Sequence, residues 1–212
     1  MDSVIKDMNP VLQMLTVMSL FSLLPFVFCC MTCFLRFTIV FSLLKTAMGV
    51  QVPPAIVTIG LCMILTFYTM GGVFQQMYER GSVPYQKTGN LIATIDEGSK
   101  PLKEFMMKQT RESDLAFFVE LKHKPPPKSP EDITIWEVAP AYILSELKTA
   151  FEIGFVVFVP FIVLDLVVAN ILLALGMFML SPTIISLPFK LLIFIAVDGW
   201  ALIVQGLVQS YN

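Results

Sequence analysis

Six ionisable side chains lie within the otherwise apolar last third of the chain. A charge at the centre of a bilayer costs roughly 2.5 to 3.5 kcal/mol, so each needs a counter-ion, a partner chain or water. Two kinds of chemistry fit: ion pairs that fix the register of packed helices, or a proton or ion relay. We expect the structural use, because fixing register is the best-attested role of buried charge. The six residues are Glu146, Lys148, Glu152, Asp165, Lys190 and Asp198.

The spacing of these charges predicts how they pair. Lys148 and Glu152 stand at i and i+4 and can pair within one helix. If the last two helices form a hairpin at residues 181–182, Asp165 lies about 24 Å before the turn and Lys190 about 12 Å after it. We therefore expect that Asp165 and Lys190 do not meet within one hairpin. Neighbouring subunits, or irregularities at Pro160 and Pro188, would then supply their partners.

An uncharged run with soft side chains, residues 175–180 (LGMFML), is a second candidate site. Unbranched methionines fill irregular gaps and repack, which suits a seal that opens around a moving polypeptide. Met177, Phe178 and Met179 are therefore candidate gate residues. An ordinary lipid-facing or core helix is the alternative interpretation.

The sequence lacks the common signature motifs of enzymes. The chain has no Walker A run, G-x-S-x-G elbow, H-E-x-x-H helix or G-x-G-x-x-G turn. Asp165 and Asp198 raise the thought of an aspartyl protease, but neither stands in a suitable glycine-aspartate context. We expect no catalytic residue and no cofactor.

The four cysteines do not predict a metal or redox site. Cys29, Cys30, Cys33 and Cys62 all lie in apolar runs, and His123 is the one histidine of the sequence. A zinc site would lack ligands, and a reactive dithiol needs an accessible, electropositive setting. We interpret the cysteines as small apolar helix residues and expect no bound metal.

The composition is that of a membrane protein. Hydrophobic residues make up 56% of the 212 positions and charged residues only 14%, against about 25% in soluble domains. A formal net charge of −2 without a basic stripe argues against a nucleic-acid partner. Between Glu79 and Glu137 lie 9 of the 14 basic and 10 of the 16 acidic residues, so that region faces water.

The elements divide the chain into an N-terminal apolar helix pair (1–78), a polar helical region with a proline-rich spacer (79–137) and C-terminal apolar helices (138–212). The first helix fits within residues 8–35, and its flanks do not indicate a cleaved signal peptide. The second runs from Pro53 and Pro54 to about Gly71 and Gly72. The basic residues in the intervening connection, 36–51, place it in the cytoplasm and region 79–137 outside.

The rest of the chain is predicted as three more helices. Residues 100–121 form an amphipathic helix, followed by an extended spacer at 124–130. A long run from about 141 to 180 carries Pro160 as a kink or break, and a last helix covers 183–208 after a turn at 181–182. The predicted fold is all-α, with about four long apolar helices in kinked hairpins and a small helical extracytoplasmic region.

The amino-acid sequences of seven segments strongly resemble the FliP/SctR family of export-gate subunits in bacterial type III secretion, flagellar or injectisome. The resemblance spans nearly the whole chain. The segments are 36–44 (RFTIVFSLL), 101–106 (PLKEFM), 109–112 (QTRE), 144–155 (LSELKTAFEIGF), 160–167 (PFIVLDLV), 186–192 (SLPFKLL) and 197–200 (VDGW).

The resemblance implies a subunit present in several copies, five in the family's usual complex. Its implied partners are a small two-helix subunit of the FliQ/SctS type, a single larger subunit of the FliR/SctT type and other membrane proteins of the export apparatus. Together these build a helical channel in the bacterial inner membrane, projecting to the periplasmic side, that passes unfolded protein substrates. The family's methionine-rich gasket maps onto Met177, Phe178 and Met179, with Phe178 where many members carry a third methionine. The lack of a signal peptide leans toward the injectisome branch.

Two functions from different classes follow. The first is a non-enzymatic pore subunit for protein export, sealed at residues 177–179. The alternative is a small-solute or proton-coupled transporter in which Asp165, Lys190 and Asp198 bind or relay. The first predicts that ions leak through the assembled gate when Met177 and Met179 are replaced by alanine. The second predicts pH-dependent solute uptake that Asp198→Asn abolishes without loss of assembly.

Overall fold

The fold is described by a computed structural model over residues 10–88, 91–121 and 133–211. Within these ranges the regular elements are all α-helices, as the sequence predicts. The helices are α1 (Pro10–Met31), α2 (Phe34–Met48), α3 (Ala55–Thr88), α4 (Leu91–Gln109), α5 (Glu112–Leu121), α6 (Ile135–Ala174), α7 (Pro182–Ala196) and α8 (Gly199–Gln209).

Two of the described helices are long and apolar enough to cross a membrane, namely α6 and the Ala55–Ser82 part of α3. Two bent helix pairs raise the number of candidate spans to four. Pro25–Met31 and Phe34–Met48 meet at 79°, and α7 meets α8 at 63°. The prediction of about four long apolar helices with kinks is therefore confirmed.

The core is built around α2. Its buried side chains recur every three or four residues, so one stripe of the helix faces the protein interior. α2 packs closely on α6 at Gly154, where a methyl group would lie 2.2 Å from Leu43 Cδ1 unless that side chain moved. The buried stripe consists of Arg36, Phe37, Val40, Phe41, Leu44, Ala47 and Met48.

Residues 36–51 were predicted to form a connection in the cytoplasm, and the prediction that they form a connection is wrong. Residues 34–48 are helical, and Arg36 is a core residue with only 3% of its surface exposed. A basic side chain that is paired inside the fold does not act as a loop charge. Of the two charges used for the topology prediction, only Lys45 remains near a connection.

The predicted second helix corresponds to α3 and is longer than predicted. It continues through Gly71 and Gly72 to Thr88, although each glycine in a helix interior costs about 1 kcal/mol relative to alanine. Packing against α4 offsets this cost, and the two helices come close where a methyl group on Gly81 would lie 3.6 Å from Gly98 Cα. The predicted domain boundary at residue 79 therefore falls inside α3.

The predicted helix over 100–121 is two helices. α4 begins earlier, at Leu91, and ends at Gln109. The Arg111 N–H then donates to Ser145 Oγ on α6 at 3.0 Å, and α5 starts anew with N–H groups of Asp114 and Leu115 bonded to Arg111 O. A tertiary hydrogen bond thus sets this break. The proline-rich spacer at 124–130 lies outside the described residues.

The C-terminal helices also differ in their bounds. α6 runs unbroken through Pro160 and ends at Ala174, six residues before the predicted end at 180. It starts at Ile135, where the backbone N–H of Thr134 donates to Glu137 Oε2 at 2.8 Å, so the predicted boundary at 138 lies inside it. The predicted last helix, 183–208, is interrupted at Val197 and Asp198.

Candidate functional site: buried ion pairs beneath an exposed apolar loop

A partly buried ion pair joins α6 and α7. Lys190 Nζ lies 2.7 Å from Asp165 Oδ2 and donates a second hydrogen bond to Ala47 O of α2 at 3.0 Å. Ser186 Oγ donates to the other carboxylate oxygen, Asp165 Oδ1, at 2.5 Å. Lys190 is 2% exposed and Asp165 34%. The pair therefore fixes the register of the hairpin and ties both of its helices to the core.

The expectation that Asp165 and Lys190 cannot meet within one hairpin is wrong. It placed the turn at residues 181–182, whereas α6 already ends at Ala174. Measured from the helix ends, Asp165 lies nine residues before Ala174 and Lys190 eight after Pro182, about 14 Å and 12 Å along the axes. The two side chains are therefore level, and the intervening loop supplies the missing length.

A second buried pair anchors the base of α6. Arg36 donates to Glu146 from Nε at 2.9 Å and from Nη2 at 2.5 Å, a two-point contact that favours a charged pair in the interior. Tyr211 Oη donates to Glu146 Oε2 at 2.5 Å, and the Arg36 guanidinium lies 3.8 Å from the centre of the Tyr211 ring. Glu146 is fully buried.

Glu146 is one of the site residues predicted from the sequence, whereas Arg36 and Tyr211 are not. Arg36 could have been found from the apolar stripe of α2, in which it occupies an inward position. Tyr211 gave no local signal, because α8 brings it to Glu146 from 65 residues away.

The expected pair between Lys148 and Glu152 is replaced by contacts with the α5 region. Lys148 Nζ forms an ion pair with Asp114, and Arg111 Nη2 lies 2.6 Å from Glu152 Oε2. Ser145 Oγ donates to Asp114 Oδ2 at 2.8 Å. The side chains of Lys148 and Glu152 are 44% and 62% exposed, so these two residues clamp α5 onto α6 at the surface.

The electrostatics of this clamp follow from its hydrogen bonds. Burial of the Asp114 carboxylate acts to raise its pKa, but hydrogen bonds from Lys148 and Ser145 outweigh burial and hold the pKa below its ordinary value. The hydrogen bond to Glu152 raises the pKa of Arg111. Both groups are therefore charged near neutral pH.

Asp198 differs from the other five candidates. It is exposed and stands at the break between α7 and α8 with φ +51°, a left-handed conformation that Asp tolerates better than most residues. Its side chain forms no capping hydrogen bond to α8. Gly199 beside it is required, because a methyl group there would lie 2.3 Å from Phe194 Cε2. The conformation of residue 198 therefore sets the 63° bend.

The candidate gate residues form the tip of the α6–α7 hairpin. They lie in a loop, not in a helix, and their exposed fractions are 47% for Met177, 76% for Phe178 and 100% for Met179. The loop leaves α6 through Gly176 at φ +74°, with the Met177 N–H bonded to Leu172 O at 2.9 Å. An apolar tip thus projects from a base that the Asp165–Lys190 pair holds.

Cysteines and metal-ligating groups form no site in the parts of the chain that the structure describes. The cysteines are unpaired thiols, of which Cys33 and Cys62 are buried. Among the described residues no three His, Cys, Asp or Glu side chains come together in a way that could hold a metal ion.

The fold and the site define an all-helical, membrane-type protein in which ion pairs hold the helices together and an exposed apolar loop, residues 175–180, caps a hairpin. Comparison with known sequences is consistent with that class. The model of the FliP family matches residues 17–207, and the chain belongs to this family.

Named relatives come from both flagellar and translocation systems. The chain is 45% identical over 201 residues to the flagellar biosynthetic protein FliP of Pectobacterium carotovorum subsp. carotovorum, covering 94% of this chain and 78% of that protein. It is 41% identical over 208 residues to FliP of Bacillus subtilis (strain 168), covering 97% and 94%. It is also 41% identical over 209 residues to the Yop proteins translocation protein R of Yersinia pestis, covering 95% and 96%. Identity alone therefore does not separate the two kinds of system.

Proposed function

We propose that the chain is a pore-forming subunit of a type III secretion export gate in the bacterial inner membrane. Family membership and the names of the flagellar and Yop translocation relatives support a role in protein export. The observation that carries the pore assignment is the exposed apolar loop at residues 175–180. A loop with Met179 fully exposed leaves apolar surface that is stabilised only when another surface covers it.

The proposed seal has a rigid base and a soft tip. The Asp165–Lys190 pair and its bond to Ala47 O fix the hairpin within about 14 Å of the loop. The side chains of Met177 and Met179 can change rotamer at low cost, and Phe178 adds bulk. Several copies arranged around an axis would bring these tips together and close the channel without a covalent or charged plug.

Exposed apolar faces support an assembly of several chains. Along α6, Phe155 is 67% and Val156 70% exposed, and along α7, Ile184 is 73% exposed. In the proposed complex, which contains five copies of this chain, these faces contact neighbouring copies. They also contact a small FliQ/SctS-type subunit and a larger FliR/SctT-type subunit. Unfolded polypeptides pass through the resulting channel toward the periplasmic side.

The same geometry favours a structural use of the charges over the alternative of a solute or proton-coupled transporter. Glu146, Asp165 and Lys190 each have partners within the chain, so a relay would first have to break those contacts. Asp198 is exposed and makes no capping hydrogen bond, so it is the residue at which the transporter is tested. Loss of pH-dependent solute uptake in Asp198→Asn, with the complex still assembled, would favour the transporter.

The test is ion leak through the assembled complex after both loop methionines are trimmed. Met177→Ala with Met179→Ala should increase the conductance of cells or bilayers that contain the complex, because the constriction loses two side chains per copy. The matched control is Met14→Ala with Met63→Ala, since both of these methionines are also exposed but lie on α1 and α3. Conductance equal to that of the control variant would contradict the seal.

A further inference from the structure

A polar groove lies where α2 ends and α3 begins. Its volume is about 640 Å³, and Ser42, Lys45 and Gln51 are among the residues that line it. Lys45 is the only charged residue between positions 37 and 78 of the sequence, and no carboxylate lines the groove among the described residues. The groove therefore carries a positive charge that nothing in its lining neutralises.

Hydrogen-bond donors in the groove are available to a ligand. Lys45 Nζ donates to Pro53 O at 2.8 Å, which holds the ammonium group in place and leaves two of its three N–H donors. The Gln51 amide is exposed and adds further donors. Thr46 and Thr58, which also line the groove, donate their hydroxyl protons back to Ser42 O and Pro54 O. The remaining Lys45 N–H groups and the Gln51 amide are therefore the donors that suit an anion with several oxygen atoms, such as a phosphate ester.

The surroundings of the groove indicate that the anion belongs to a lipid. The α2 segment that ends at Met48 and the α3 segment that starts at Ala55 both belong to candidate membrane spans, so the groove lies at the end of both. Large apolar side chains stand exposed at its edge, with Val52 71% and Ile56 75% exposed. A free phosphate ion would leave this apolar edge uncovered, whereas acyl chains would cover it.

We propose that this groove binds the headgroup of an anionic phospholipid, with the phosphate on Lys45 and the acyl chains along the exposed start of α3. The site is separate from the loop at 175–180 and does not depend on the export function. Its role would be to hold the α2–α3 connection at the membrane surface.

The experiment measures lipid retention by native mass spectrometry. The full chain, purified in mild detergent with whatever subunits remain bound, is titrated with phosphatidylglycerol or with phosphatidylcholine. Phosphatidylglycerol should bind the unmodified chain more tightly, and Lys45→Gln should weaken its binding about fivefold, the effect of one basic residue at an anionic membrane surface. Lys108→Gln, which removes an exposed lysine of α4, is the matched control and should bind like the unmodified chain.

A second variant guards against misfolding of Lys45→Gln. Gln51→Glu changes an exposed side chain in the connection and places a carboxylate in the groove, so it should also weaken phosphatidylglycerol binding by at least fivefold. Equal retention in Lys45→Gln, Gln51→Glu and Lys108→Gln would overturn the proposal. So would equal retention of the two lipids, or binding of inorganic phosphate alone as tightly as phosphatidylglycerol.

Discussion

Removing one partner of the Arg36–Glu146 pair should strongly destabilise the fold, and removing both should not. Glu146→Leu leaves the Arg36 guanidinium at a site that is only 3% exposed, with Ser210 O and Oγ as its remaining hydrogen-bond acceptors and the Tyr211 ring beside it. Breaking a buried pair in this way costs about 3–5 kcal/mol. At roughly 2–4 °C per kcal/mol for a chain of this length, the unfolding temperature should fall by roughly 6–20 °C.

The double variant Arg36→Met with Glu146→Leu separates charge from packing. It replaces both groups with apolar side chains of similar volume, which is often neutral or stabilising. Tyr211 Oη then loses its acceptor, and an unsatisfied buried hydroxyl costs about 1–3 kcal/mol. The double variant should therefore unfold closer to the unmodified chain than Glu146→Leu does, by about 2 kcal/mol or more.

The assay is thermal unfolding in mild detergent, followed by loss of helical circular dichroism. Tyr211→Phe serves as the control, since it removes one hydrogen bond without leaving a charge and should cost only about 1–2 kcal/mol. The reasoning is refuted if Glu146→Leu unfolds within about 1 kcal/mol of the unmodified chain, or if the double variant is no more stable than the single one.

Three further predictions concern packing, pH and backbone conformation. Gly154→Ala should cost about 1–3 kcal/mol because its methyl group overlaps Leu43, and adding Leu43→Ala should recover part of that loss in the same thermal assay. Because the folded-state pKa of Asp114 is lowered, its clamp stabilises the fold above the unfolded pKa of about 3.9 and is lost as pH falls through the folded value. Asp114→Asn should flatten the acid end of the stability profile, and an unchanged profile would contradict the clamp. At Asp198, Asn or Gly should preserve stability, whereas Val should lower it by about 1–2 kcal/mol, since β-branched residues do not tolerate φ +51°.

Long apolar runs made the helices predictable, whereas their ends depended on distant partners. The break at Arg111 is made by a hydrogen bond to Ser145, 34 positions away, which no local pattern encodes. The end of α6 at Ala174 had a local signal in Gly176, whose φ of +74° is typical of a helix terminus. Using that glycine as the stop, instead of Ser181, would have placed Asp165 and Lys190 at the same level.

Residue type alone was enough to predict which side chains of the site need a partner of opposite charge. A charge in an apolar run needs a partner, and Glu146, Asp165 and Lys190 indeed have them within the chain. Lys148 and Glu152 could pair within α6, but Asp114 of α5 and Arg111 just before α5 lie beside them and pair with them instead. The sequence shows which charged residues are present, but their spacing along the chain does not show which of them the fold brings together.

The central proposal is that the loops of several copies meet at the axis of a channel. The most direct measurement is oxidative cross-linking of Met179→Cys in an assembled complex whose native cysteines are replaced. Residue 179 should link chain to chain in high yield, whereas Met14→Cys, exposed on α1, should not. Cross-linking at residue 179 no stronger than at residue 14, in a complex that is shown to be intact, would contradict the proposal.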